Sequence, residues 1–273
     1  MNKKQPMYPD LSLYKSYLER NADNSRSPRF PDVTKKATIE YMNYAANICE
    51  KWDSFLDIGG GTGHYSAGLS ALFKGGTVIE VERHDEQLAQ AKRNPNIRFA
   101  NQMIEDYADQ KVVDFILLAD VFEHIRQIDA FASHLSRLQE KGGVVYIMTP
   151  NPIFCGPAPE STIHHTRHAN GHIKHYTRSE ICSIMSREGY ELVFAAYDES
   201  RFRESVKGLI RGLSRRDQKL RSNRILRILS PLVSPFALAL RLVAQPMVYR
   251  VEKRIRNDEF KGRTQNLAFK KMR

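Results

Sequence analysis

An apolar segment, Ser54-Phe55-Leu56-Asp57-Ile58, runs directly into Gly59-Gly60-Gly61-Thr62-Gly63, and this junction restricts the fold more than any other feature. A short β-rich run that breaks at glycines and is followed by helix-forming residues is a buried strand, a tight loop and a helix start. Glycine lets the main chain turn sharply and lets a ligand approach it, and the helix beyond offers free N–H groups. The glycines at 59, 61 and 63 follow G-x-G-x-G. That is neither the G-x-G-x-x-G of dinucleotide sites nor the lysine-bearing loop of phosphate sites. An acid, Asp57, precedes the loop. Its carboxylate would repel a pyrophosphate but suits a cationic ligand, such as one with an amino group and a sulfonium. A second acid, Glu82, ends the next strand candidate, where it can accept both hydroxyls of a ribose.

From that loop onward, strands and helices alternate. Thr77–Glu82, Ile97–Ala100, Asp114–Ala119, Gly143–Met148 and Glu191–Ala196 read as strands. Tyr65–Phe73, Asp85–Lys92, Ile128–Glu140 and Ser179–Glu188 read as helices, with another from Asp32 to about Cys49 and a short one at Leu11–Arg20. Apolar strands between amphipathic helices imply an α/β domain with a doubly wound, mostly parallel sheet covered on both faces. Asn266–Lys270 alternates and is the candidate last strand, with Leu267 and Phe269 on one face. The expected organisation is an N-terminal extension (1–31), a ligand-binding domain (32–200), a basic helical insertion (201–262) and the last strand (263–273).

Charge is uneven. Residues 201–273 carry 20 Lys+Arg against 5 Asp+Glu, while the whole chain has a net charge of +11. Any attraction to nucleic acid or membrane therefore concerns this stretch alone. Three prolines and Arg241 interrupt its apolar part, 228–249, so a straight membrane span is not expected. The polar N-terminus is not expected to be a secretory signal. Three scattered cysteines exclude a disulfide scaffold and a cysteine-rich zinc site, and fit a cytoplasmic protein.

Several motifs in order carry a family resemblance. Phe55 to Gly63 resembles the first motif of class I S-adenosylmethionine (SAM) methyltransferases, and Val78-Ile79-Glu80-Val81-Glu82 resembles their second. Val113 to His124 and Gly142 to Asn151 resemble the fourth- and fifth-strand segments of the branch containing the ubiquinone-biosynthesis O-methyltransferases. The resemblance spans about residues 33–198. It implies a Rossmann-like fold and SAM as cofactor. Asp57, Gly59 and Gly61 would hold the amino-acid end of SAM, and Glu82 its ribose. Gln102 and Met103 would flank the adenine, and Asp120 would line the methyl donor. Many relatives carry an acid near Met103, so Gln102 or main chain would substitute here.

Methyl transfer to a hydroxyl also needs a proton acceptor, and histidine suits that role near neutral pH. His124 follows the fourth strand at the edge where ligands sit, and is the candidate catalytic base; the alternative is that Glu123 and His124 brace that segment. His164, His165, His168, His172 and His175 cluster further on, but no recognised zinc spacing accompanies them, so no metal site is expected and a substrate-lining or anion-binding loop is favoured over a solvated one, although Asp120, Glu123 and His124 could also hold a divalent ion. Asn151-Pro152-Ile153-Phe154 superficially resembles a motif of base methylation in nucleic acids, yet it follows the fifth strand and not the fourth.

The function expected is SAM-dependent methylation, at oxygen, of a small-molecule, lipid or glycan acceptor. The alternatives are an RNA methyltransferase that uses the basic stretch, and a non-catalytic SAM-binding protein. Residues 201–262 would contact a membrane peripherally from the cytoplasmic side, cap the substrate, or pack on the body.

Overall fold

The computed structural model describes residues 34–51, 53–60, 65, 77–81, 97–100, 112–156, 172–206, 208–209, 244 and 246–273. The helices expected at Leu11–Arg20 and Asp85–Lys92, all but Tyr65 of the one at Tyr65–Phe73, and residues 210–243 lie outside them. So do Gly61, Glu82, Gln102, Met103 and three of the clustered histidines.

In chain order the elements are α1 (Thr34–Ala46), β1 (Ser54–Ile58), β2 (Thr77–Val81), β3 (Ile97–Ala100), β4 (Phe115–Ala119), a 3₁₀ turn (Phe122–His124) and α2 (Ile128–Arg137). They continue with β5 (Val144–Pro150), the short α3 (Pro152–Cys155), α4 (Arg178–Arg187), β6 (Tyr190–Ser200) and β7 (Gly262–Lys271). Residues 201–206 and 246–255 are also helical. The strands form one sheet in the order β3-β2-β1-β4-β5-β7-β6. The first five run parallel, and β7 lies antiparallel between β5 and β6.

Side-chain alternation explains why the sheet is covered twice. Leu56 and Ile58 of β1, Ile116 and Leu118 of β4, and Val145 and Ile147 of β5 face one layer, with Phe131 and Leu135 of α2 and Ile181 and Met185 of α4. Phe55, Phe115, Leu117, Val144 and Tyr146 face the other, against Tyr41, Met42 and Ala45 of α1. Both faces of each central strand are apolar, as parallel strands between helical layers require. Leu267 and Phe269 of β7 join the first layer, and Ala268 the second.

β5, β6, β7 and α2 depart from the pattern-based expectation for physical reasons, while α1, β4 and α4 differ at their ends by one to three residues. β6 and β7 are longer because their polar ends are paired inside the protein. Ser200 donates its N–H and hydroxyl to Glu252, at 3.1 and 2.6 Å. Gln265 donates to the carbonyls of Pro150 and Tyr176, at 3.1 and 2.6 Å. Tyr146 donates its hydroxyl to Asn266 Oδ1 at 2.8 Å. β5 extends to Pro150 because β7 continues to pair with it. α2 stops at Arg137, short of Glu140, because the buried Gln139 side chain bonds instead to the carbonyls of Asp114 and Val144.

Candidate active site

Ligands in open α/β sheets gather at the carboxyl ends of the strands. Here the carboxyl ends of β1, β4 and β5 bring together two groups of side chains.

The first group surrounds the glycine turn. Asp57, in β1 between Glu80 and Leu117, is fully buried. Gly59 follows with φ +68°, and a Cβ there would stand 2.7 Å from Val121 Cγ2. A left-handed backbone and a filled side-chain position both demand glycine. The close approach also seats the β1 turn against the segment after β4. Asp120, exposed and next in that segment, has φ +56°, a conformation Asp tolerates at modest cost. Its N–H donates to the Met148 carbonyl at 2.9 Å. Tyr65, beyond the glycine loop, places its hydroxyl 3.8 Å from Met148 Sδ. Burial holds the Tyr65 phenol above its ordinary range, and the charge of Asp120 adds to that.

The second group lies past β4. Glu123, in the 3₁₀ turn, is fully buried. Thr149, near the end of β5, donates its hydroxyl to Glu123 Oε2 at 2.9 Å. Oε1 has no hydrogen-bond partner among the described residues and lies 3.9 Å from His172 Nε2. Burial pushes the Glu123 carboxyl up to about 7. Burial, then the nearby His124 and His175 rings, push His172 down to about 4. His172 is positioned from both ends. The Ile173 N–H donates to the Glu123 carbonyl at 2.8 Å, joining two segments distant in sequence. Downstream, Thr177 and Glu180 form a reciprocal capping box that fixes the start of α4. His124 stands exposed at the rim, its ring edge-on to that of His172 with centroids 4.8 Å apart. Glu123, His124 and His172 each bring one polar atom to within 4.8 Å of the others. That spacing is short enough for the three to hold a cation.

Of the sequence-derived site residues, Asp57, Gly59 and Asp120 are thus brought together, and His124 stands with the second group. Glu123 and Thr149 were not among the candidate catalytic residues. The Glu-His pair after β4, and the H-x-x-H spacing just ahead of Thr-x-x-Glu, are the signals that mark this corner in the sequence.

A mostly parallel sheet with an antiparallel strand inserted next to its edge, and an acid-plus-glycine turn after the first strand, define a class I SAM-dependent methyltransferase. Residues 14–194, well over half of the chain, match the methyltransferase domain family model, and the chain belongs to that family. Ubiquinone biosynthesis O-methyltransferases are among its curated relatives. The one from Pelagibacter ubique is 32% identical over 99 residues, 35% of this chain and 41% of the relative. The one from Rhodopseudomonas palustris is 29% identical over 101 residues, 35% of this chain and 39% of the relative. The chain therefore spans about two fifths of the length of these relatives. Among solved structures, coclaurine N-methyltransferase superposes with a TM-score of 0.58 at 14% identity, covering 96% of this chain and 84% of that one. A SAM-dependent methyltransferase from Archaeoglobus fulgidus superposes with a TM-score of 0.52 at 13% identity, covering 87% and 94%. At such identities the likeness is one of fold.

The cofactor of this class is SAM, and the described residues fit it. A buried carboxylate beside a turn where only glycine is accommodated offers a negative group and open main chain to a cationic amino-acid moiety.

Proposed function

We propose that the protein transfers a methyl group from SAM to a hydroxyl oxygen of a small-molecule, lipid or glycan acceptor. The observation that carries this reading is the buried Glu123 beside His172, on the strand edge that also carries Asp57 and Gly59. An oxygen acceptor must lose a proton during transfer, and groups that titrate near neutrality serve that need. The segment likeness to O-methyltransferases of ubiquinone biosynthesis supports oxygen as the acceptor atom.

When bound, SAM supplies an electrophilic methyl group on a sulfonium. Asp57, Gly59 and Gly61 hold its amino-acid end in this reading, and Glu82 its ribose. Gln102 and Met103 flank the adenine, and Asp120 lines the methyl side. The acceptor then lies over the ends of β4 and β5, with His124 at its rim. The pocket's work is orientation and exclusion of water, since in-line displacement needs little else from the protein. Residues 201–262 supply a basic surface for peripheral contact with an anionic membrane from the cytoplasmic side.

Incubation with methyl-labelled SAM and fractionated cell extract tests the reading. Label in a base-labile or ether-linked product of a lipid, glycan or small-solute fraction supports it. Label confined to RNA, or SAM binding without transfer to any fraction, overturns it.

A further inference from the structure

We propose that Arg201 and Arg263 form a binding site for an oxyanion of the acceptor, a carboxylate or phosphate group set apart from the hydroxyl that is methylated. This rests on the methyl transfer to a hydroxyl put forward above and gives its acceptor a chemical class.

The corner is built on α3, just past the end of β5. Asn151, buried at its start, donates its side-chain amide to the carbonyls of Glu259 and Gly262, at 2.6 and 2.9 Å. Its N–H donates to the Arg263 carbonyl at 2.7 Å. Cys155, at the other end of α3, donates its thiol to the same carbonyl at 3.4 Å. The main chain of Arg263 is thus held from two sides, and its side chain leaves from a fixed point at the start of β7. Arg201 sets its guanidinium over the Phe154 ring of the same helix, 5.3 Å from the centroid. Ser200 and Gly262 pair across β6 and β7, so the two arginines leave neighbouring points of one strand edge. Gly156 follows α3, and its carbonyl lies 3.0 Å from His175 Nδ1, which ties this corner to the histidine side.

Positive charge exceeds its described partners here. Among the described residues, Glu204 alone forms an ion pair with either arginine. Its Oε2 stands 3.7 Å from Arg263 Nη1, beyond hydrogen-bond distance, and the Arg263 side chain is 52% exposed. The neighbouring acids are engaged elsewhere: Glu199 with Thr264 and Arg203, Asp258 with Lys261, and Glu259 with Tyr197. A loose, wet ion pair contributes little, so an incoming oxyanion displaces Glu204 from Arg263 at small cost. A guanidinium presents its N–H groups as a planar fork that matches a carboxylate or a phosphate, and stacking on a ring leaves the edge of that fork open. Arg201 is exposed as well, and Ile153 and Phe202 beside it offer exposed apolar surface to the rest of the acceptor. The charge of Arg263 reaches the His172 ring and disfavours its protonation, so the arginine pair and the histidine side adjoin. An acceptor anchored on the arginines is thereby held next to the edge where its hydroxyl reacts.

¹H–¹⁵N spectra of the full chain with labelled arginine test the site without the natural acceptor. The two Nε–H signals are identified by their loss in Arg201→Gln and Arg263→Gln. At constant ionic strength, benzoate or phenyl phosphate should shift both signals saturably, and the tighter of the two tells a carboxylate from a phosphate. Benzamide, the uncharged analogue, should shift neither. No saturable shift with either anion, or the same shift with benzamide or sodium chloride, overturns the proposal. In the labelled-SAM assay, the product should be retained on an anion exchanger at about pH 8 after ribonuclease treatment. Arg263→Gln should raise the acceptor concentration for half-maximal transfer about tenfold, with SAM affinity unchanged. Lys51→Gln, which removes an exposed positive charge ahead of β1, should not raise it. An uncharged product, or wild-type acceptor demand in both Arg201→Gln and Arg263→Gln, overturns the proposal and leaves the methyltransferase reading intact. Label in no fraction at all strikes that reading instead, and the arginine signals then decide the oxyanion site alone.

Discussion

The two groups at the strand edge are built in opposite ways. The glycine-turn side comes largely from one contiguous stretch, in which Asp57, Gly59 and the loop after β1 meet the end of β4. The histidine side joins three separate segments: the 3₁₀ turn with Glu123, the end of β5 with Thr149, and the residues ahead of α4 with His172 and His175. The first side offers a buried carboxylate beside a turn that only glycine can make. The second offers groups whose charge is finely balanced by burial. A fixed cofactor calls for the former, and a proton that must arrive and leave calls for the latter.

The largest expected effect concerns the frame both sides share. A chain ended after Ser200 lacks β7, the strand between β5 and β6. Loss of buried Leu267 and Phe269 alone costs about 5 kcal/mol, on the scale of a domain's whole stability. Circular dichroism of that truncated chain should show no cooperative melt. A melt like that of the intact protein would mean β7 is dispensable to the sheet.

Next comes the pH response of the histidine side. Glu123 titrates near 7 when folded, against 4.5 ordinarily. Between those values the folded state keeps a proton that the unfolded chain has released, so stability falls as pH rises. His172 titrates near 4 when folded, against 6.5 ordinarily. There the unfolded chain binds the extra proton, so stability rises with pH. The two slopes oppose each other between about pH 4.5 and 6.5. Glu123→Gln removes the falling one, and relative to wild type it should gain about 3 kcal/mol between pH 4.5 and 7.5. Urea unfolding across that range reads the gain directly. Parallel stability curves would mean Glu123 is not held protonated by burial.

The glycine-turn side should respond to geometry and not to pH. Gly59→Ala forces a Cβ toward Val121 at φ +68°. Strain of about 1–2 kcal/mol should weaken SAM binding about tenfold at every pH. An affinity loss that varied with pH would blur the distinction between the sides.

Smallest is Thr149→Val. It deletes one hydrogen bond to Glu123 Oε2, worth about 1 kcal/mol, and removes an influence that holds the carboxyl down. The fall of stability with pH assigned to Glu123 should extend to higher pH. A shift to lower pH would reverse the assigned role of Thr149.

Legibility in the sequence followed the same division. Ser54–Ile58 and Ile97–Ala100 are strands at the very residues their apolar pattern indicates, and β7 contains the weakly alternating Asn266–Lys270. Asp57 and the glycines stood out because their meaning is local. The polar ends of β6 and β7 were hidden. Asp198, Ser200, Thr264 and Gln265 fall outside the apolar segments Glu191–Ala196 and Asn266–Lys270, and partners such as Glu252 and the Tyr176 carbonyl bury and pair them. The Glu123–His172 approach was equally hidden, since 48 intervening positions separate the two and only the folded path across β5 closes the gap. His172 and His175 were visible as part of a histidine cluster, but not which ring nitrogen faces which neighbour.

The central claim is that cofactor binding and proton acceptance reside in separable sides of one site. Calorimetric titration of SAM into wild type, Asp57→Ala and His172→Gln tests it most directly. Wild type should bind one SAM per chain, Asp57→Ala at least about tenfold more weakly, and His172→Gln with wild-type affinity. Unchanged affinity in Asp57→Ala, or equal losses in both variants, would contradict it.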